Sequence, residues 1–236
     1  MPHDLPNPLE NLPLKALIFD MDGTLIHNMA FHRRAWVDFL GRHGIRLTEE
    51  EFEHHNHGTG AEIIRRLFGA ELPAADVQRL VQEKEALYRQ QYGPHLRALP
   101  GLREFLTVAR ARGLRLALAT AGDAPNIDFV LDGLRLRPYF DAIIGAEQVQ
   151  RGKPDPEVFL LAATALGVAP QECLVFEDSM TGIEAARRAR MAAVGLATTH
   201  PAEELQGLGL AQIAADYTHL HLPERRAEVL RWLQPQ

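Results

Sequence analysis

The chain has 236 residues, 46% of them hydrophobic, enough to bury a sizeable core in one large domain or in one domain carrying an insertion. Its 25 Lys and Arg against 31 Asp and Glu leave a net charge of −6, which argues against a general nucleic-acid or anionic-membrane binder, since both need a basic face. The one cysteine, Cys173, permits no internal disulfide, and no apolar run reaches the roughly 18 residues of a membrane span, so a cytoplasmic monomer or small homo-oligomer is expected.

Residues 1–13 lack the basic start and apolar middle of a signal peptide, and their prolines and polar residues predict a poorly ordered tail. The run Lys15-Ala-Leu-Ile-Phe-Asp20 then reads as a buried parallel strand that stops at an acid, with Asp22 two residues on and a Gly-Thr pair that must turn. Phe31, Ala35, Trp36, Phe39 and Leu40 have the spacing of an amphipathic helix ending near Gly41 or Gly44. Helical patterns recur around Ile63-Ile64-Leu67-Phe68 and Val77-Leu80-Val81-Lys84-Leu87-Tyr88, and no convincing strand falls between about residues 29 and 95. Residues 29–95 are therefore expected to form an all-α subdomain inserted into a main domain made of 14–28 and 96–236.

Beyond Pro100-Gly101 the pattern alternates. Helix Leu102–Arg112 precedes strand Leu114–Ala119, helix Ile127–Leu134 precedes strand Asp141–Ile144, and a helix after Lys153-Pro-Asp-Pro-Glu ends at Gly167. Strand Cys173–Phe176, helix Gly182–Arg190, strand Ala192–Leu196, a weak strand over Gln212–Ala215 and a last helix over Glu224–Leu233 follow. Such alternation predicts an α/β fold, a Rossmann-like, doubly wound parallel sheet with helices on both faces.

In a parallel sheet all carboxyl ends share one rim, where ligands bind. Asp20, Asp22, Thr120, Glu177 and Asp178 stand at such ends, and Lys153 opens the helix before the last of them. Four acids at one rim repel one another unless a cation sits among them, and hard oxygen ligands suit Mg²⁺, which keeps waters and takes substrate phosphate oxygens. The Lys153 ammonium and Thr120 hydroxyl then have a phosphate as their natural partner. Cys173 opens a strand-like run and reads as a buried structural thiol. His54, His55 and His57 are close in sequence, but adjacent histidines do not share a helix face, so they read as an exposed turn before Gly58.

The motifs in order, Asp20-Met-Asp22-Gly-Thr-Leu, Leu118-Ala-Thr120, Gly152-Lys153-Pro-Asp-Pro and Phe176-Glu177-Asp178-Ser179-Met-Thr-Gly182-Ile, resemble the four motifs of the haloacid dehalogenase (HAD) superfamily. The helical insertion resembles the cap of its β-phosphoglucomutase-like branch. The resemblance implies that Asp20 is the nucleophile, forming an aspartyl-phosphate, and that Asp22 is the general acid and base. It implies that Thr120 and Lys153 hold the transferring phosphoryl group, with Ala121 and Gly122 beside the substrate. It also implies that Mg²⁺ is held by Asp20, Asp178 and the main-chain carbonyl of Asp22, with Glu177 assisting. Asp22 favours a phosphotransferase over a dehalogenase. A phosphonatase, with its Schiff-base lysine early in the cap, is disfavoured because the cap's one lysine, Lys84, is expected on a helix face.

The leading expectation is thus a Mg²⁺-dependent phosphatase of a small phosphorylated metabolite, a sugar phosphate above all, with a β-phosphoglucomutase-type mutase as the alternative. His32 falls where those mutases place a cap-hinge histidine, and Trp36 follows at the matching spacing. The mutases, however, have a phosphate-gripping Arg where this chain has Ala61, unless Arg65 or Arg66 replaces it, and a Lys-Asn pair where it has Asp123-Ala124. A non-catalytic phospho-acceptor switch is a remote third reading.

Overall fold

The computed structural model describes residues 14–56, 58–220 and 222. The tail over 1–13, His57 and the last helix expected over Glu224–Leu233 lie outside the described residues. The chain divides into two compact units, one comprising the residues up to His27 and from Arg97 onward, the other Asn28–Leu96.

The first unit is built on strands β1 (Ala16–Phe19), β2 (Arg115–Ala119), β3 (Ala142–Ile144), β4 (Cys173–Glu177), β5 (Ala192–Leu196) and β6 (Gln212–Ala214). All pair in parallel, in the order β3-β2-β1-β4-β5-β6. The sheet is thus the doubly wound one expected, with its switch point between β1 and β4. Every residue of β1 is fully buried, as the continuous apolar run demands of a central strand. Phe19 lies opposite Leu118 on one side and Phe176 on the other, and the pairing continues one step further, the Asp20 N–H donating to the Phe176 carbonyl at 3.0 Å.

Side chains alternate between the two faces of the sheet. On one, Ala16, Ile18, Ala117, Ala119 and Val175 pack with Val158, Phe159 and Ala162 of α7 (Glu157–Leu166) and Ala185 and Ala186 of α8 (Met180–Arg188). On the other, Phe19 stacks on Phe176 with centroids 4.7 Å apart, and Phe105 of α5 (Leu102–Ala111) meets Phe176 edge-on at 5.3 Å. Tyr217 closes this cluster at 5.8 Å from Phe176. Phe176 directly precedes the Glu177–Asp178 pair, so the cluster is the floor under the rim. Phe176→Ala should cost about 3–5 kcal/mol, read as a lower urea midpoint with an unchanged slope.

Two helices begin earlier than the apolar pattern alone suggests, because polar caps start them. Asp123 accepts from the Asn126 N–H at 3.0 Å and opens α6 (Ala124–Gly133); Ser179 Oγ accepts from the Gly182 N–H at 3.0 Å and opens α8. On α8 Glu184 pairs with Arg188 at 2.7 Å, as the i,i+4 spacing allows, with Arg187 on the same carboxylate.

The second unit holds α1 (Met29–Arg42), α2 (Glu49–Glu53), α3 (Gly60–Phe68) and α4 (Ala74–Tyr92) around Trp36, Phe39, Leu40, Phe52, Ile63, Ile64, Val77, Leu80 and Leu87. The short α2 was not foreseen. It carries a sequence signal all the same, since Thr48 and Glu51 form a capping box, as Thr59 and Glu62 do for α3.

Candidate active site

Asp20 leaves the end of β1 and Asp178 follows the end of β4, so the switch point sets these acids on neighbouring strands. Between Asp22 and Leu25 the chain turns tightly, with the Thr24 and Leu25 N–H groups donating to the Met21 carbonyl at 3.2 and 2.8 Å. Gly23 sits in that turn at φ +76°, and a Cβ there would collide with the Asp178 carboxylate. Glycine is therefore needed twice over, for the turn and for the close approach of the acid behind it.

Lys153 Nζ lies 2.6 Å from Asp20 Oδ1 and 2.5 Å from Glu177 Oε1, all three groups shielded from solvent. Burial opposes the lysine's charge, yet Asp20 and Glu177 beside it hold its pKa above the ordinary value. The other Glu177 oxygen accepts from the Asp178 N–H, the Ser179 N–H and the Ser179 hydroxyl, each at 2.9 Å. The carboxylate folds back over Gly182, where any Cβ would strike it. Glu177 thereby ties Lys153 to the first turn of α8, and both of its oxygens are engaged.

Asp178 is held by hydroxyls. Its Oδ1 accepts from Thr24 Oγ1 at 3.3 Å and its Oδ2 from Thr199 Oγ1. Burial, with Glu177 and Asp22 nearby, lifts its pKa to about 7 against the opposing pull of Thr199 and Lys153. Burial likewise pushes Asp20 well above the ordinary range; Lys153 works against that, while Glu177, Asp178 and Asp22 add to it. Asp22 is half-buried at the same rim.

Thr120 directly follows β2 and is almost fully buried, and its Oγ1 accepts from the Gly122 N–H at 3.0 Å, which leaves its own proton to give. Ala121 is exposed beside it, and a Cβ on half-buried Gly122 would press on the Met21 methyl. Cys173 is buried and its thiol pushed up to about 12 by that burial, which suits a structural role. Tyr217 was not foreseen. Its hydroxyl donates to the Thr24 carbonyl at 3.2 Å under the turn, and nothing around position 217 in the sequence signals it.

In the helical unit taken by itself, Trp36 is a core residue stacked on Phe52 at 5.6 Å. His32 stacks on Tyr88 at 3.7 Å and its Nδ1 stands 3.0 Å from Lys84 Nζ. Lys84 lies on a helix face as expected, and that face of α4 is the buried one. The lysine is 2% exposed, 2.7 Å from Glu85 Oε1 and 4.9 Å from the Trp36 ring. The signal was its register with Leu80, Leu87 and Tyr88 on one face of α4. Ala61 packs against this core, and Arg66 donates to the His55 carbonyl at 2.8 Å.

Among the described residues no cluster of three or more His, Cys, Asp or Glu is gathered to hold a metal ion, His54 and His55 included. Mg²⁺ does not require such a cluster, because it is commonly bound through one or two carboxylates, its other positions going to waters and phosphate oxygens. Asp20 and Asp178 are buried acids whose charges act on each other, and no ion pair among the described residues reaches Asp178. This donor set fits a hard divalent cation.

The family model for haloacid dehalogenase-like hydrolases matches residues 14–190. The chain belongs to the haloacid dehalogenase-like hydrolases. Among its HAD relatives, the fructose-1-phosphate phosphatase YqaB of Escherichia coli K12 is 35% identical over 181 residues, covering 76% of this chain and 94% of that one. The validoxylamine A 7'-phosphate phosphatase of Streptomyces hygroscopicus subsp. limoneus is 34% identical over 191 residues, covering 81% and 89%. Among solved HAD structures, a β-phosphoglucomutase of Clostridium difficile superposes with a TM-score of 0.76 at 27% identity, covering 89% of this chain and 94% of that one. Phosphoric monoester hydrolysis is the reaction class of this HAD chain. No helix among the described residues is long and apolar enough to cross a membrane.

Proposed function

We propose that this chain is a Mg²⁺-dependent phosphatase of a small phosphorylated sugar or polyol, working through an aspartyl-phosphate on Asp20. The observation that carries the reading is the Asp20–Lys153–Glu177 contact at the switch point, with Asp178 on the adjoining strand end. Attack of an Asp20 carboxylate oxygen on phosphorus breaks the ester bond, and Asp22 gives its proton to the departing alkoxide. Asp22 then takes a proton from water as that water attacks the acyl phosphate and frees Asp20. Lys153 and the Thr120 hydroxyl bind the phosphoryl oxygens, on which charge accumulates in the loose transition state. Asp20, Asp178 and the Asp22 main-chain carbonyl would hold Mg²⁺, which supplies charge neutralisation to the phosphoryl group. Phosphate release from a panel of sugar and polyol phosphates tests this; no release with Mg²⁺ present, or equal release after its removal with a chelator, defeats it.

Hydrolysis is favoured over mutase action at two positions. Asp123 is committed to capping α6, and Ala61 is packed on the core of its own unit, so neither offers a cationic grip on a second phosphate. A bisphosphate-primed assay is therefore expected to yield inorganic phosphate and no interconverted sugar phosphate. The helical unit takes the role of the substrate-selecting cap in this reading.

Metal linkage has a sign. Asp178 titrates near 7 instead of the usual 4 or so, so its charged form is penalised by folding. That contribution to stability is complete below about pH 4 and is lost as pH rises through about 7. Mg²⁺ favours the charged form, so its stabilising effect on Tm should be larger at about pH 8 than at about pH 5. An equal shift at both, in differential scanning fluorimetry without substrate, would remove these carboxylates from the metal site.

A further inference from the structure

We propose that Thr199 is a positioning residue that fixes the Asp178 carboxylate for the metal ion, through the hydrogen bond from its Oγ1 to Asp178 Oδ2. It rests on the reading above only in taking Asp178 as a Mg²⁺ ligand.

Thr198 and Thr199 follow β5 directly after Ala197, and their two hydroxyls bond two different partners. Thr198 Oγ1 donates to the Gly23 carbonyl in the nucleophile turn, 175 residues away in sequence, and Thr199 Oγ1 donates to Asp178 after β4. One short segment thereby fastens the turn on β1 and the acid on β4 to a common support. The third strand end of the switch region thus takes part in the site, although its Ala-Thr-Thr sequence carries no acid or base.

The chemistry of the contact also favours a metal ligand over a buried structural acid. A carboxylate has about four lone-pair sites, and Asp178 gives one on each oxygen to a hydroxyl, Thr24 on Oδ1 and Thr199 on Oδ2. The remaining sites are left for a cation. Both donors are neutral, and the nearby ammonium of Lys153 pairs with Asp20 and Glu177. The negative charge of Asp178 is therefore oriented but not neutralised. Thr24 lies inside the turn, where substitution would disturb Asp20 and Asp22, whereas Thr199 is half-buried on a separate segment and can be changed cleanly. Its β-branched side chain is stiff at χ1, which holds Oγ1 on the carboxylate.

Calorimetric titration with Mg²⁺ in the absence of any phosphate ester tests the assignment on the full chain, comparing wild type, Thr199→Val and Thr199→Ser. Loss of a hydrogen bond to a ligating carboxylate typically lowers metal affinity by about 10- to 100-fold, so Thr199→Val should weaken Mg²⁺ by about tenfold or more. Thr199→Ser, which keeps the hydroxyl, should stay within about threefold of wild type. The Mg²⁺ concentration giving half-maximal phosphate release should shift by the same factor, with KM for the ester unchanged at saturating Mg²⁺. Thr199→Ala is measured in the same way should the valine variant not fold. Wild-type affinity in the valine or alanine variant overturns the proposal, as does a serine variant as weak as valine. Because the titration needs no substrate, absence of phosphate release across the ester panel would defeat the phosphatase reading and leave Thr199 standing. A wild-type chain that takes up no Mg²⁺ at all would defeat both.

Discussion

Replacing Asp20 by Asn should lower phosphate release by at least about 10⁴-fold, the scale seen when a covalent nucleophile is removed from its catalytic unit. The amide keeps the shape of the carboxyl group and loses its charge and its nucleophilic oxygen. Asp20 is the acid that Lys153 approaches at 2.6 Å, and it sits at the very end of the central strand, where its main chain is fixed by the bond to Phe176. The fold should therefore survive, because Lys153 keeps Glu177 as an ion-pair partner when the charge of Asp20 is removed. Trapping with radiolabelled phosphate donor should label the wild type and not Asp20→Asn. Equal labelling in both would place the covalent step on another residue.

Lys153→Met is expected to show the second large effect, and on stability as well as on rate. Breaking a buried ion pair by removing one partner typically costs about 3–5 kcal/mol, since the remaining charges stay buried without compensation. Here two carboxylates, Asp20 and Glu177, would be left behind. Activity should fall by about 10³-fold, the order found when a preorganised charge is withdrawn from a transition state. The two losses can be told apart. Adding Glu177→Gln to Lys153→Met should recover part of the stability while leaving activity low, and chemical denaturation beside phosphate release measures both. A Lys153→Met variant as stable as wild type would show that the acids are already neutral there.

Much of this was readable along the chain. An apolar run that ends at an acid states both that a strand is central and that its end faces solvent or ligand. Asp20, Thr120, Glu177 and Asp178 could thus be assigned to a shared rim from local pattern alone, once the strand-helix alternation required a parallel sheet. The polar caps at Asp123 and Ser179 were legible too, as residues that prefer to satisfy free helix N–H groups, and so was the Thr48–Glu51 box that the hydrophobic pattern overlooked.

What local pattern could not decide was which oxygen meets which donor. Lys153 and Asp20 are 133 residues apart, and Thr24 and Asp178 are 154 apart. Periodicity reports which side of an element faces inward, but a hydrogen bond forms or fails over a few tenths of an ångström set by how separate elements pack. Hence Glu177, one of four equivalent acids in the sequence, has both oxygens occupied by Lys153 and the start of α8, while Asp178 beside it accepts from the hydroxyls of Thr24 and Thr199. Lys84, polar in composition, is buried against Trp36 because α4 turns that face to α1. Thr198 and Tyr217, unremarked in the sequence, support the turn after Asp20 through the Gly23 and Thr24 carbonyls, and Thr199 beside them holds Asp178. Composition and spacing settled the sheet and the residues of its rim; only the packed fold settled how those charges are shared.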